Sequence, residues 1–282
     1  YGPVGDTDIK GKFRTEKEIF TYGKKKLTFL GTMHLRDEGN KDAVTRPIFN
    51  EIYLNRPDYV LVEGVSSSVE FPCTWLSILT KPTSELIREN SEMAYAVRLA
   101  VDKGIPVFGI EPTAIDLKFA LRPEISAKMK YPAPASLTTE DLFFHKVLES
   151  FSLVAPEKRN VQVLSQECAH LHSEWRSEKA ATPNVKNDAD AIAKLKAWYL
   201  KTNQEPLNFS DKNLHDKLHP ADSATYKTQK IAQFHFEVRD ASMRRQAKAA
   251  LGQYNNVVVV EGMAHLNANR KTLSDLALEI AK

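Results

Sequence analysis

Val257-Val-Val-Val260-Glu261-Gly262-Met263-Ala264-His265-Leu266 joins four consecutive β-branched residues to a Gly-x-x-His-Leu tail. Four valines are too few for a helix and leave no polar face. They read as a short strand buried on both sides, the kind that parallel sheets contain. Leu27-Thr-Phe-Leu-Gly31-Thr-Met-His34-Leu35 repeats the arrangement, a buried strand followed by Gly-x-x-His-Leu. Glycine at a strand end allows a backbone turn that other residues resist. Each histidine then falls just past the C-terminal edge of the sheet, where open α/β sheets place their ligands.

Two more apolar runs lie between these segments. Tyr59-Val-Leu-Val62 stops at Glu63-Gly64, and Ile105-Pro-Val-Phe-Gly-Ile110 stops at Glu111-Pro112. Helical periodicity fills the gaps, over roughly 41–53 and 84–103 on one side and 226–251 and 268–281 on the other. Ahead of them, Glu18–Tyr22 and Leu27–Leu30 flank Gly23-Lys-Lys-Lys26 as a β-hairpin. Strands alternating with helices imply an α/β fold: a mainly parallel sheet with flanking helices, in two related halves separated by a helical insertion. Residues 1–15 read as a polar tail, and 16–282 as one α/β domain. The stretch 113–230 is polar, helix-prone and punctuated by prolines, including Pro123, Pro132, Pro156, Pro183 and Pro220. Its central part, about 131–225, is the insertion.

Composition narrows the classes. The 282 residues are 42% hydrophobic and 27% charged, which fits a globular chain rather than a disordered one. A net charge of +3 gives no basic footprint for nucleic acid. No apolar run reaches the ~18 residues of a membrane span. Cys73 and Cys168 could form one bridge or stay as two thiols, and they make no zinc-knuckle spacing. The chain starts at Tyr1 rather than Met, so the reading leans toward a secreted or exported protein or an excised effector or toxin domain.

Four strand ends thus carry His34, Glu63, Glu111 and His265. Taken singly, each has an ordinary explanation: a hydrogen-bonded loop histidine, a helix-capping carboxylate, a Glu-Pro turn. Together they form a set that can hold Zn, Mn or Co and leave a position for water. Such an ion lowers the pKa of its water to ~7. Without an ion, His34 or Glu63 could still act as general base. Glu261 parallels Glu63 locally, but it precedes a Gly-x-x-His and is expected to point to the opposite face.

Gly31-Thr-Met-His34, Val-Leu-Val-Glu63, Arg239-Asp240-x-x-Met243 and Gly262-Met-Ala-His265-Leu together resemble the Tiki/TraB family, itself related to erythromycin-esterase-like and haem-binding ChaN-like proteins. The resemblance spans most of the chain but touches few residues, and none in 131–225. It implies an α/β fold with two related halves and a metal-dependent, peptidase-like hydrolase (a metalloprotease). The two Gly-x-x-His histidines and the strand-end Glu would form its site. It also places Arg239 on a helix facing that site, where a guanidinium could hold a substrate carboxylate or an oxyanion. The ordinary alternative is Arg239 paired with Asp240 or Glu237 on a solvated face. His235, one turn earlier, reads equally as a supporting residue or a structural one.

Other signals carry less. His170 and His172 diverge on a helix. His145, His215 and His219 have no paired motif, and Ser66–Ser68 lack a base-and-orienter set. Cys73 could serve a Cys/His hydrolase, but cysteine is more often a small buried residue. The leading expectation is a metal-assisted hydrolase of a peptide or small molecule, with His34, Glu63 and His265 as metal ligands and Glu111 and Arg239 in support. The alternatives are a metal-free His/Glu ester hydrolase and a non-enzymatic haem-binding, peptide-binding or effector domain.

Overall fold

The computed structural model describes residues 15–32, 41–66, 79–177, 187–221 and 223–280. In chain order the main elements are β1 (Glu16–Tyr22), β2 (Lys25–Thr32), α1 (Lys41–Phe49), β3 (Tyr59–Ser66), α2 (Thr83–Asp102), β4 (Val107–Glu111), α3 (Ala114–Ala120), α4 (Thr139–Leu153), α5 (Val161–Ser177), α6 (Asp188–Asn203), α7 (Leu214–Leu218), α8 (Lys227–Gln253), β5 (Asn256–Gly262) and α9 (Met263–Ile280). The chain divides into two compact units. Residues 112–238 form a helical unit wider than the 131–225 insertion read from the sequence, and the flanking segments form a sheet unit. Helix α8 contributes its first part to the helical unit and its remainder to the sheet unit.

The sheet has the order β1-β2-β5-β3-β4. β1 and β2 form the expected antiparallel hairpin across Gly23-Lys24, and every other pairing is parallel. The last strand, β5, therefore inserts between β2 and β3. Its four valines are buried on both faces, as their pattern requires. Val257 and Val259 pack with Phe29, Leu61, Met243, Leu251 and Leu266. Val258 and Val260 pack with Leu30, Ile48, Val62 and Val97. So α8 and α9 supply side chains to one face of the sheet, and α1 and α2 to the other.

Helix α9 begins at Met263, five residues before the expected start at 268. β5 runs directly into it, which places His265 in the first helical turn rather than in a loop. Gly31 has a different role from the turn that its motif suggested. It lies inside β2, where a Cβ would stand 3.0 Å from Leu266 Cδ2 and 3.2 Å from Met263 Cα. The start of α9 sits against β2 because no side chain is there.

The helical unit packs around Phe144, Phe151, Trp175, Tyr199 and Phe234, all fully buried. Capping boxes start α3 at Thr113 and α4 at Thr138. Asp141 completes the second box and also accepts a bond from Trp198 Nε1 at 2.7 Å, tying α6 to α4. Cys168 is a buried free thiol, and Cys73 lies outside the described residues.

Candidate active site at the carboxyl edge of the sheet

Strand register decides which side chains meet. Val62 lies level with Val260 at the end of the β3/β5 pairing, and Glu63 and Glu261 are the next residue on each strand. Side chains alternate along a strand with period two. Both carboxylates therefore fall on the face of Leu61 and Val259. This overturns the expectation that Glu261 points to the opposite face.

Glu63 is buried and held on both oxygens. Oε1 is bonded by Arg239 Nη2, and Oε2 accepts from the Gly262 backbone N–H at 2.6 Å. The same Nη2 reaches Glu111 Oε1 at 2.6 Å. Gly64 follows with φ +75°, a conformation that suits glycine, and the β3/β4 register is interrupted between Val62 and Ser66. Its N–H lies 3.3 Å from Glu111 Oε1. A local backbone irregularity thus draws two strand ends around one guanidinium. Arg239 pairs with Glu63 and Glu111, so the alternative of a solvated Arg239–Asp240 pair does not hold.

Asp240 faces His265. Its Oδ1 accepts from His265 Nδ1 at 2.5 Å, and both residues are buried. A carboxylate can only accept, so Nδ1 carries the proton in this bond and the lone pair falls on Nε2. Nε2 lies 3.8 Å from Glu63 Oε1. That is too long for a direct hydrogen bond and is a span one small atom can bridge. Glu261 Oε1 lies 3.5 Å from His265 Nδ1, and Glu261 Oε2 is buried with no hydrogen-bond partner. Burial pushes the Glu261 carboxyl well above the usual carboxylate range. Glu63 and Asp240 add to the rise, and Arg239 opposes it.

The described residues fit a divalent cation. Asp240, Glu261 and His265 each offer a ligand atom, all within 4.8 Å of one another. Four carboxylates, those of Glu63, Glu111, Asp240 and Glu261, surround one guanidinium and one imidazole, so a cation would offset their mutual repulsion. Of the residues expected from the sequence, Glu63, Glu111, Arg239 and His265 come together. Glu63 is engaged by Arg239 and Gly262, Asp240 by His265, and Glu261 Oε2 by no hydrogen bond. His34 lies outside the described residues. Asp240 stood beside Arg239 in the family-like segment and was weighed only as its ion-pair partner. Helix position alone does not say which strand a side chain meets. His235 belongs to the helical unit, beside His145.

A fully buried carboxylate on the other face was also missed: Glu92 of α2, whose Oε1 accepts from Thr32 Oγ1 at 3.0 Å. Among the described residues no helix is long and apolar enough to cross a membrane. No protein-family model, curated protein or solved structure matches the chain.

Proposed function

We propose that the sheet unit is a hydrolase, metal-dependent and peptidase-like, as the resemblance to the Tiki/TraB family implies. The observation that carries the reading is the buried Asp240–His265–Glu63 alignment. A carboxylate clamps Nδ1 of the imidazole, and Nε2 faces a second carboxylate across 3.8 Å. A carboxylate behind a histidine fixes its tautomer and ring orientation, both in metal centres and in acid–base dyads.

Asp240, Glu261 and His265 would hold the ion, in the Zn, Mn or Co class that nitrogen and oxygen donors suit, with Nδ1 giving up the proton it otherwise donates to Asp240. Bound there, it would supply a water acidic enough to ionise near neutral pH. The chain's own part follows from the hydrogen bonds. Gly262 N–H and Arg239 hold Glu63 in one orientation, ready to take a proton from the attacking water as that oxygen bonds to the substrate carbonyl carbon. The proton then passes to the leaving amine as the amide C–N bond breaks. Arg239 Nη2 is engaged by Glu63 and Glu111, so the guanidinium positions the base.

The 2.5 Å Asp240–His265 bond also supports a second reading, a metal-free hydrolase in which His265 Nε2 is the base. One experiment separates the two: hydrolysis of a peptide and ester library, before and after chelation, with Mn, Co or Zn added back. Loss on chelation and recovery with metal supports the first reading. Undiminished turnover in stripped protein supports the second. In either case Asp240→Asn should lower kcat/KM by about 10²–10⁴-fold, in the first reading because a ligand is lost and in the second because the amide no longer selects the productive tautomer. Unchanged turnover in both Asp240→Asn and His265→Ala would sink the hydrolase reading.

A further inference from the structure

The helical unit carries a second donor cluster, made by residues that have no motif in the sequence. His145 and Glu149 stand four residues apart on α4, which puts them on one face of the helix. His235 of α8 meets them there. One ligand atom from each of the three lies within 4.8 Å of the others. The two imidazoles are set edge to face, with centroids 6.3 Å apart.

His145 marks this as more than a chance meeting. It is fully buried, in a core that includes Phe144, Leu148, Phe151 and Phe234. Its Nε2 lies 3.0 Å from the carbonyl oxygen of Leu218, the last residue of α7. A carbonyl only accepts, so Nε2 carries the proton and Nδ1 carries the lone pair. Nδ1 is buried with no partner in hydrogen-bond geometry, although the Thr228 backbone also lies close enough to the ring to favour its proton. A buried polar atom without a partner is costly, and an apolar side chain would fill the same space without that cost. The tautomer is the one a metal requires, because liganding histidines donate their other ring N–H to a carbonyl or carboxylate.

We infer that His145 Nδ1, Glu149 and His235 form a site for one divalent transition-metal ion, with Zn²⁺ the ion of choice. Two imidazoles and one carboxylate are donors that suit Zn²⁺, and three protein ligands leave a coordination position open. The two histidines are buried and Glu149 is half-buried. Ligand bonds of about 2.0–2.2 Å need the three to close on the ion. The ion would tie α4 to the first part of α8 inside the helical unit. The inference does not depend on the hydrolase reading, since none of its ligands belongs to the sheet edge.

The test uses the full chain, stripped with chelator and titrated with Zn²⁺ or Co²⁺ by calorimetry and elemental analysis. The wild type is compared with Glu149→Gln, His235→Asn and His265→Ala, with near-ultraviolet circular dichroism as the check on fold. Glu149→Gln and His235→Asn should each lose one ion per chain, or bind it at least tenfold more weakly. His265→Ala should keep that ion. X-ray absorption of Co²⁺-loaded His265→Ala should count two imidazoles on the ion that this variant keeps. Binding that is the same in the wild type, Glu149→Gln and His235→Asn would overturn the inference. So would a wild type that takes up no ion outside the His265 site.

Discussion

The two units treat buried polar groups in opposite ways. In the helical unit they are mostly stitched to backbone. The guanidinium of Arg159 donates to the carbonyl oxygens of Val154, Asp211 and Ser152 at 2.6–2.7 Å, and His145 Nε2 meets that of Leu218. In the sheet unit carboxylates are pressed against one another at the strand ends, with Arg239 as the cation bonded to Glu63 and Glu111. Stitches to carbonyls satisfy helix and loop ends and fix packing. A surplus of buried carboxylates destabilises the fold that holds it, and such arrangements are characteristic of sites that do chemistry.

The largest effect should come from removing the cation. Arg239→Ala leaves Glu63 and Glu111 without their partner and should cost about 3–5 kcal/mol in urea unfolding, as for other broken buried pairs. Arg239→Met combined with Glu63→Gln and Glu111→Gln should recover much of that loss, because the uncompensated charge goes too. If the single variant is as stable as the wild type, the strand-end cluster is less strained than the comparison holds.

Next in size is Gly31→Ala. The new methyl would meet the Met263 backbone and the Leu266 side chain, and overpacking of this kind costs about 1–3 kcal/mol. Hydrogen exchange read by mass spectrometry should show faster exchange in β2, β5 and the start of α9, with α4–α6 unchanged. Equal loosening of both units would blur the division between them.

This division also explains what the sequence showed. The strands were legible because buried parallel strands need short runs of Val, Leu and Ile, and those runs stop at the residues that face the edge. Glu63, Glu111 and His265 were therefore findable one by one. Asp240 was not, because its role depends on which strand end its helix passes. Glu261 was misplaced because its likeness to the Gly-x-x-His segment outweighed the simpler rule that level residues on paired parallel strands share a face. The early start of α9 was hidden by the same repeat, which made Gly262–His265 look like a loop. The helical-unit cluster was harder still. His145 and Glu149 show helical spacing, but His235 joins them from 86 residues beyond Glu149 through packing alone.

A smaller effect tests the stitches. Asp141→Ala removes one half of the α4 capping box and the acceptor for Trp198. Caps and neutral hydrogen bonds each contribute about 1 kcal/mol, so the loss should be about 1–2 kcal/mol. Exchange should rise in α4 and α6 while the sheet unit keeps its protection.

The smallest effect concerns pH. Lys217 bonds Glu205 Oε1 at 2.6 Å and Asp211 Oδ2 at 2.9 Å near the surface of the helical unit. Burial pushes the Asp211 carboxyl up, but Lys217, the Asn213 backbone N–H and Arg159 together hold it below its ordinary value. A folded-state value below the unfolded one adds stability that is fully present above the unfolded value and is lost as pH falls through the folded one. Lys217→Met should therefore leave the acid unfolding midpoint at a higher pH than in the wild type. The cost near neutral pH should be no more than ~1 kcal/mol, the usual scale for pairs that water still reaches. The same variant should leave the proposed hydrolysis unchanged, because the groups Lys217 meets, Glu205, Asp211 and the Tyr226 ring, all belong to the helical unit. A shift of the acid midpoint together with a loss of the proposed hydrolysis would show that the effect of Lys217 is not confined to the helical unit.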